Sequence, residues 1–495
     1  MRKSGILLPI TSLPSEYGIG CFSVAAYRVA DFLKASGQGY WQILPLGPTG
    51  YGDSPYQSFS TFAGNSYMIS LEELIEEGLL TKEECDDAQL SQNINYIDYK
   101  KQYTNRIPLL KTAASRWNFE DVNYKAFCEE NSYWLEDYAL FCAIKEQYNG
   151  KPLLMWDEKI IFKNQSVLDE LKNKHDASIK YHKFTQYKFY SQWFKLKSYV
   201  NKLGIEIIGD IPIYVSSDSS DLWNNPELFD LDETEKPINV AGCPPDGFSP
   251  KGQLWGNPLY KWEAHRKDGY KWWIKRIEHS FKMYDALRID HFRGFDEYYS
   301  IPFESEDATK GIWKKGPGKY LFDAIENALG KKNIIAEDLG FITPSVVKLL
   351  KDTVFPGMKV LQFAFDTRDT GDANSYLPHN YPANCVAYTG THDNQTLYSW
   401  FHDLPAGEKL NVRQYLCDCY TPDFCMNDSL IGLIMRSNAY LTIIPIQDWL
   451  GLGDEARINT PSTVGNNWTW RLNPNQLDDT LQKKILNMTK IYGRL

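Results

Sequence analysis

Residues 286–295 read ALRIDHFRGF, in which Ala286, Leu287 and Ile289 are interleaved with and followed by Arg288, Asp290, His291 and Arg293. A run this short and apolar reads as a strand, and its charged end belongs either to a solvated loop or to a cleft. Seven further runs share the apolar, β-branched character: Ile6–Pro9, Trp41–Leu46, Ile205–Ile213, Asn333–Asp338, Lys359–Asp366, Cys385–His392 and Leu441–Gln447. From Ile205 onward the intervals contain helical patterns. In Tyr320–Leu329, Leu321, Ala324, Ile325, Ala328 and Leu329 repeat at helical spacing, and Thr343-Pro344-Ser345 opens a helix that ends near Lys348–Lys351. Eight strands alternating with helices predict an α/β fold, a closed (β/α)8 TIM barrel.

The whole chain, 1–495, reads as one catalytic barrel with long excursions. Between strands two and three lies a stretch far too long for one helix; residues from about 60 to 200 predict an inserted, mostly helical subdomain. A second excursion, about 216–282, carries Pro244-Pro245-Asp246-Gly247-Phe248 and Trp255-Gly256-Asn257-Pro258 and reads as an inserted loop region covering the active site. A helical pattern runs through Ile485, Leu486 and Ile491, and no separate C-terminal β-domain is expected.

Bulk properties narrow the function. A formal net charge of −10 and a pI of about 5.4 argue against nucleic acid or an anionic membrane as partner. Nine scattered cysteines fit a reducing compartment, and Cys417, Cys419 and Cys425 lack the paired spacing of a metal site. The short apolar run after Arg2 and Lys3 falls short of a signal segment, so a soluble, cytoplasmic protein is expected. The 15 Trp, 32 Tyr and 24 Phe serve mainly packing, but aromatic faces are also what a sugar-handling cleft needs.

Against the barrel frame the charges form a pattern. Asp210 ends IEIIGD, Asp290 ends ALRID, Glu337 and Asp338 end NIIAED, and Asp393 follows VAYTGTH. Barrel enzymes carry their catalytic residues at the C-terminal ends of several strands, and here four strands each deliver an acid. Such a cluster suits either a divalent cation or a pair of acids flanking a glycosidic bond. The neighbours favour the pair. Arg288, two residues before Asp290, shares its face of the strand and favours the ionised carboxylate. Glu337 follows Ile334, Ile335 and Ala336, an apolar setting that raises a pKa as a general acid requires. Taken singly, each acid is also a plausible turn or helix-cap residue.

The segments GDIPIYV (209–215), ALRIDHFRGF (286–295), NIIAEDLG (333–340) and TGTHDN (389–394) resemble, in order, the four signature regions of the α-amylase clan. Their particular variants resemble the amylomaltases, the 4-α-glucanotransferases of glycoside hydrolase family 77. So do GDSPYQSFS (52–60), CPPDGFSPKGQLWGNPLY (243–260), MKVLQFAFD (358–366) and NTPSTVGNNWTWR (459–471). The resemblance implies Asp290 as nucleophile, Glu337 as acid/base and Asp393 as the carboxylate that stabilises the transition state. It places Arg288 and His392 on the sugar in the −1 subsite. Asp210, Ser54, Tyr56 and His291 then line the donor and acceptor subsites, Phe248, Gln253 and Trp255 belong to a loop covering the cleft, and Phe363 packs beside the acid/base. Two departures stand out: Gly247 replaces a more usual aromatic residue, and Pro461-Ser462-Thr463 replaces a more usual Pro-Gly-Thr.

The expected reaction is a retaining, double-displacement transfer of α-1,4-glucan from malto-oligosaccharides, amylose or starch to the 4-hydroxyl of glucose or another glucan. The two carboxyl groups then stand about 5–5.5 Å apart. No cofactor or metal is expected, no nucleic acid or membrane partner, and the protein is expected to be a monomer or weak homodimer. A plain α-glucan hydrolase is the nearest rival. A non-catalytic glucan-binding scaffold predicts loss of one of the three acids, and all three are present.

Overall fold

A computed structural model describes all residues except Met1, Tyr51, 246–248, Phe341 and 366–373. Eight parallel strands, β1 (Lys3–Leu7), β2 (Tyr40–Gln42), β3 (Glu206–Ile211), β4 (Ala286–Ile289), β5 (Ile334–Ala336), β6 (Gly357–Val360), β7 (Cys385–Tyr388) and β8 (Leu441–Pro445), form one sheet in the order β6-β7-β8-β1-β2-β3-β4-β5. The sequence order is therefore circularly permuted around the sheet. The two edges, β5 and β6, meet to make a (β/α)8 barrel, as the strand pattern predicts. The backbone N–H of Ala336 donates to the Pro356 carbonyl at 2.9 Å across this seam. The Asp338 carboxylate accepts from the Met358 N–H at 2.6 Å. Gly357 permits that approach, since a Cβ there would meet the same carboxylate at 2.6 Å.

Alternation along the strands divides two cores. Leu7, Ile208, Ala286, Ile335, Met358, Val360, Val386, Tyr388, Leu441 and Ile443 form one cluster inside the barrel. Ile207, Leu287, Ile289, Ile334, Ala336 and Ala387 belong to the outer core that packs on helices. Strands buried on both faces read as continuous apolar runs, which is why all eight were visible in the sequence. The boundaries differ. The second run becomes loop after Gln42. The sixth strand stops at Val360, and Leu361–Phe363 turn as a short 3-10 segment, so Phe363 is not part of a strand. The helices at Lys319–Leu329 and Pro344–Thr353 lie where their patterns place them, the second capped by the Thr343 side chain accepting from the Val346 N–H.

Between β2 and β3 the chain is mainly helical from Leu71 to Lys202. Its longest helix, Asp176–Lys202, buries Phe184, Phe189, Tyr190 and Trp193, and Phe22 meets Phe189 edge-on at 5.2 Å. The excursion after β3, read as loop, also holds regular structure. Asn239–Cys243 and Gln253–Pro258 pair antiparallel and join Glu297–Pro302 and Ile312–Lys315 in a four-stranded sheet. Their signal is weak because Gly242 and Gly256 interrupt the alternation and Ile312–Lys315 is almost wholly unburied. The last helix spans Asp479–Ile491.

Candidate active site

Strand parity and register assemble the site. Arg288 and Asp290 share the inward parity of Ala286, Asp210 that of Ile208, and Glu337 that of Ile335. In the β3–β4 ladder Asp210 stands directly opposite Arg288. The guanidinium therefore meets both Asp210 oxygens, at 2.8 and 2.7 Å, with both residues out of solvent. Its other arm pairs with Asp290 at 2.9 Å. Asp290 is the more open partner, its side chain 31% exposed against 0% for Asp210. Burial disfavours the Arg288 charge, but Asp210, Asp290, Tyr56 and Glu337 outweigh it and hold its pKa above the usual range. The Tyr56 hydroxyl donates to Asp210 at 2.8 Å. Ser54 contributes a hydroxyl that accepts the Tyr56 N–H at 3.3 Å, so it shapes the loop carrying that ring.

Glu337 leaves the end of β5 and is 9% exposed. Both of its oxygens accept backbone N–H groups, from His291 at 2.6 Å and from Leu339 at 2.7 Å. His291 reaches it because its backbone is left-handed, φ +52°, which turns the peptide N–H back toward the neighbouring strand. Burial first, and then the Asp290 charge, push the Glu337 pKa up to about 8, against the pull of Arg288 and the two N–H donors. The rise expected from its apolar neighbours is present; the repulsion by Asp290 adds to it. The His291 ring, kept neutral by burial with a pKa near 4, stands edge-on to Trp255 at 4.8 Å. Trp255 comes from the antiparallel sheet, and its indole N–H donates to Gln253 at 3.0 Å.

A second wall, joined to the first through Tyr56, is aromatic. The His392 and Tyr56 rings stack at 5.1 Å and 17°. The His392 Nε2 lies 3.4 Å from the Asp393 carboxylate. Asp393 remains 43% exposed by side chain and takes a 2.7 Å hydrogen bond from the Asn459 amide. Arg457 donates to the Asp393 carbonyl at 2.9 Å and to that of Asn459 at 2.8 Å. Trp468 packs behind Tyr56 and His392. Asn459, Arg457 and Trp468 were not singled out from sequence; the only cue was the NTPSTVGNNWTWR segment in which two of them lie.

The arrangement thus gathers Asp210, Arg288, Asp290, His291, Glu337, Tyr56, His392 and Asp393 around one cleft. Phe363 packs on the barrel's inner core and edge-on to Tyr376 at 5.4 Å. Gly247 and Phe248 lie outside the described residues. Asp338 turns away to the barrel seam, and Arg293 sits over the Trp313 ring at 3.9 Å. Chemically, the cleft sets Asp290, ion-paired to the Arg288 guanidinium, beside Glu337, whose pKa burial and the Asp290 charge push up to about 8. A third acid completes the set.

Comparison with known proteins gives a consistent answer. The profile of glycoside hydrolase family 77, described as 4-alpha-glucanotransferase, matches residues 8–478. A 4-alpha-glucanotransferase of Streptococcus pneumoniae is 47% identical over 100% of this chain and 98% of its own length. One from Thermus thermophilus is 44% identical over 100% and 99%. An amylomaltase from Streptococcus agalactiae, solved in complex with acarbose, superposes with a TM-score of 0.96 at 41% identity, covering 100% of both chains.

Proposed function

Since the chain belongs to glycoside hydrolase family 77 and is an enzyme of the 4-α-glucanotransferase class, we propose that it moves α-1,4-glucan segments by two successive displacements on Asp290. The observation that carries this reading is the unlike setting of two neighbouring acids. Asp290 is ion-paired to Arg288 at 2.9 Å, while Glu337 is buried and pushed up to about 8. The first is ready to attack the anomeric carbon of the −1 sugar, and the second holds a proton for the departing 4-oxygen.

Forming the glycosyl ester removes the Asp290 charge, one of the two causes raising the Glu337 pKa. Glu337, having given up its proton, then has an environment that favours the carboxylate more. In that form it takes the proton of the incoming 4-hydroxyl as that oxygen attacks the ester. Asp393, steadied by Asn459 and His392, faces the sugar hydroxyls and stabilises positive charge on the ring. Arg288 and His392 hold the same sugar, with Tyr56 and Asp210 behind them. His291, Gln253 and Trp255 line the acceptor side, and Phe363 borders it. The helical excursion and the segment about 216–282 act as walls of the cleft. The donors are malto-oligosaccharides, amylose or starch, and the acceptor is glucose or another glucan, with the reaction taking place in the cytoplasm.

Maltotriose tests the reading. Glucose together with a ladder of oligomers longer than maltotriose is expected. Accumulation of only glucose and maltose would mean that water, not sugar, resolves the intermediate.

A further inference from the structure

Behind the aromatic wall stands Trp468, which faces no reacting group. It is 7% exposed and closes a small cluster with Leu44, Ile458, Tyr56 and Tyr99. Its ring lies 5.9 Å from Tyr56 and 5.8 Å from His392, tilted 45° and 40° to them. Its backbone is left-handed, φ +64°, a conformation bulky side chains rarely adopt. Two hydrogen bonds hold it there. The Trp468 N–H donates to the Ile458 carbonyl at 2.6 Å, and the Trp468 carbonyl accepts the Tyr99 hydroxyl at 3.0 Å. Tyr56 and His392 each carry a polar end to an acid, at 2.8 Å from Asp210 and 3.4 Å from Asp393. Two stacked rings can slide over one another. A third ring at a steep tilt to both removes that freedom.

We propose that Trp468 is a positioning residue. Its constrained backbone, latched by Tyr99, holds the indole as a backstop that fixes Tyr56 and His392, and through them the approach of Asp210 and Asp393 to the bound sugar. The inference rests on the proposed function, in which His392 and Asp393 act on that sugar.

The test is a double-mutant cycle on maltotriose disproportionation with Trp468→Ala, His392→Ala and both together, with a melting temperature for each. W468A is expected to lower kcat about tenfold with KM within about twofold. In the H392A background it should cost less, about threefold, because only the Tyr56 ring is left for the backstop to hold. A full tenfold loss on top of H392A, a rise in KM alone, or no loss in W468A overturns the proposal and leaves the reading of the site intact. H392A running at the full rate overturns both. If W468A does not fold, Tyr99→Phe removes only the latching hydroxyl. It should lower kcat about two- to fivefold, and by less in H392A; an unchanged kcat in Y99F overturns the proposal.

Discussion

The two walls of the cleft are held by different physics. On the β3–β5 side, Asp210, Arg288, Asp290 and Glu337 form a charge network with three of its four members at least nine-tenths buried. On the β7–β8 side, Asp393 is nearly half exposed, and what fixes it is a neutral amide and a stack of rings backed by Trp468. Charges buried together set protonation states, because each feels its neighbours through a low-dielectric interior. Rings and amides set geometry without moving a proton. The difference suits the assigned roles: nucleophile and acid/base need opposed protonation states, whereas the stabilising carboxylate needs only to stay in place.

The comparison breaks most severely at Asp290. Asp290→Asn is expected to lower kcat for maltotriose by roughly 10³-fold or more while leaving the folded state intact; a variant within tenfold of the parent would remove Asp290 from the chemistry. Next comes Arg288→Ala, which leaves Asp210 buried without its counter-charge. A loss of about 3–5 kcal/mol in denaturant unfolding is expected. Asp393→Asn, on the open wall, should change stability by less than about 1 kcal/mol although it slows the reaction. Equal stability losses in the two variants would erase the distinction between the walls.

The charged wall also predicts a pH signature. Glu337 has a folded pKa of about 8, above its ordinary value, so folding favours its protonated form. That contribution is fully present below pH 4.5 and is lost as pH rises toward 8. The melting temperature of Glu337→Gln relative to the parent should therefore rise from pH 4 to pH 8, offset at both by an amide nitrogen that cannot accept one of the two backbone N–H groups. In the parent, kcat/KM should fall as pH rises through about 8. Asn459→Ala, on the neutral wall, should lower kcat about tenfold, the worth of one hydrogen bond to a charged group, and leave that pH profile where it was. The smallest effect belongs to Asp338→Asn, one residue from Glu337 but turned to the barrel seam. It should cost about 1 kcal/mol of stability and shift neither kcat nor the profile.

The charged wall is legible in the residues themselves, whereas Tyr56 and His392 of the aromatic wall rest on the family resemblance and Trp468 has no signal of its own, for a physical reason. Asp210, Arg288, Asp290 and Glu337 sit on or just past strands buried on both faces, so an apolar run points to each and period-two parity fixes its side. Two adjacent acids, Glu337 and Asp338, carry the same local signal and yet part company. Parity turns them to opposite faces, and the closing of β5 against β6, which no local pattern encodes, gives Asp338 its partner at the seam. Asn459 and Trp468 come from a loop that returns to Asp393 across the barrel mouth, more than sixty residues after it in sequence. The antiparallel sheet carrying Gln253 and Trp255 hid behind glycines and an exposed edge. Phe363 alternates with Leu361 and Phe365 in the run Lys359–Asp366 and so reads as strand, whereas the chain turns there.

The central claim, a covalent glucosyl ester on Asp290, is open to direct measurement. Glu337→Gln incubated with α-glucosyl fluoride, whose fluoride leaves without acid catalysis, should accumulate the ester. Mass spectrometry of a rapid acid-quenched digest is then predicted to show one anhydroglucose unit on the peptide containing Asp290, absent when Asp290→Asn is combined with it. Turnover of the fluoride with no adduct and release of β-glucose, or an adduct on another carboxylate, would contradict the account.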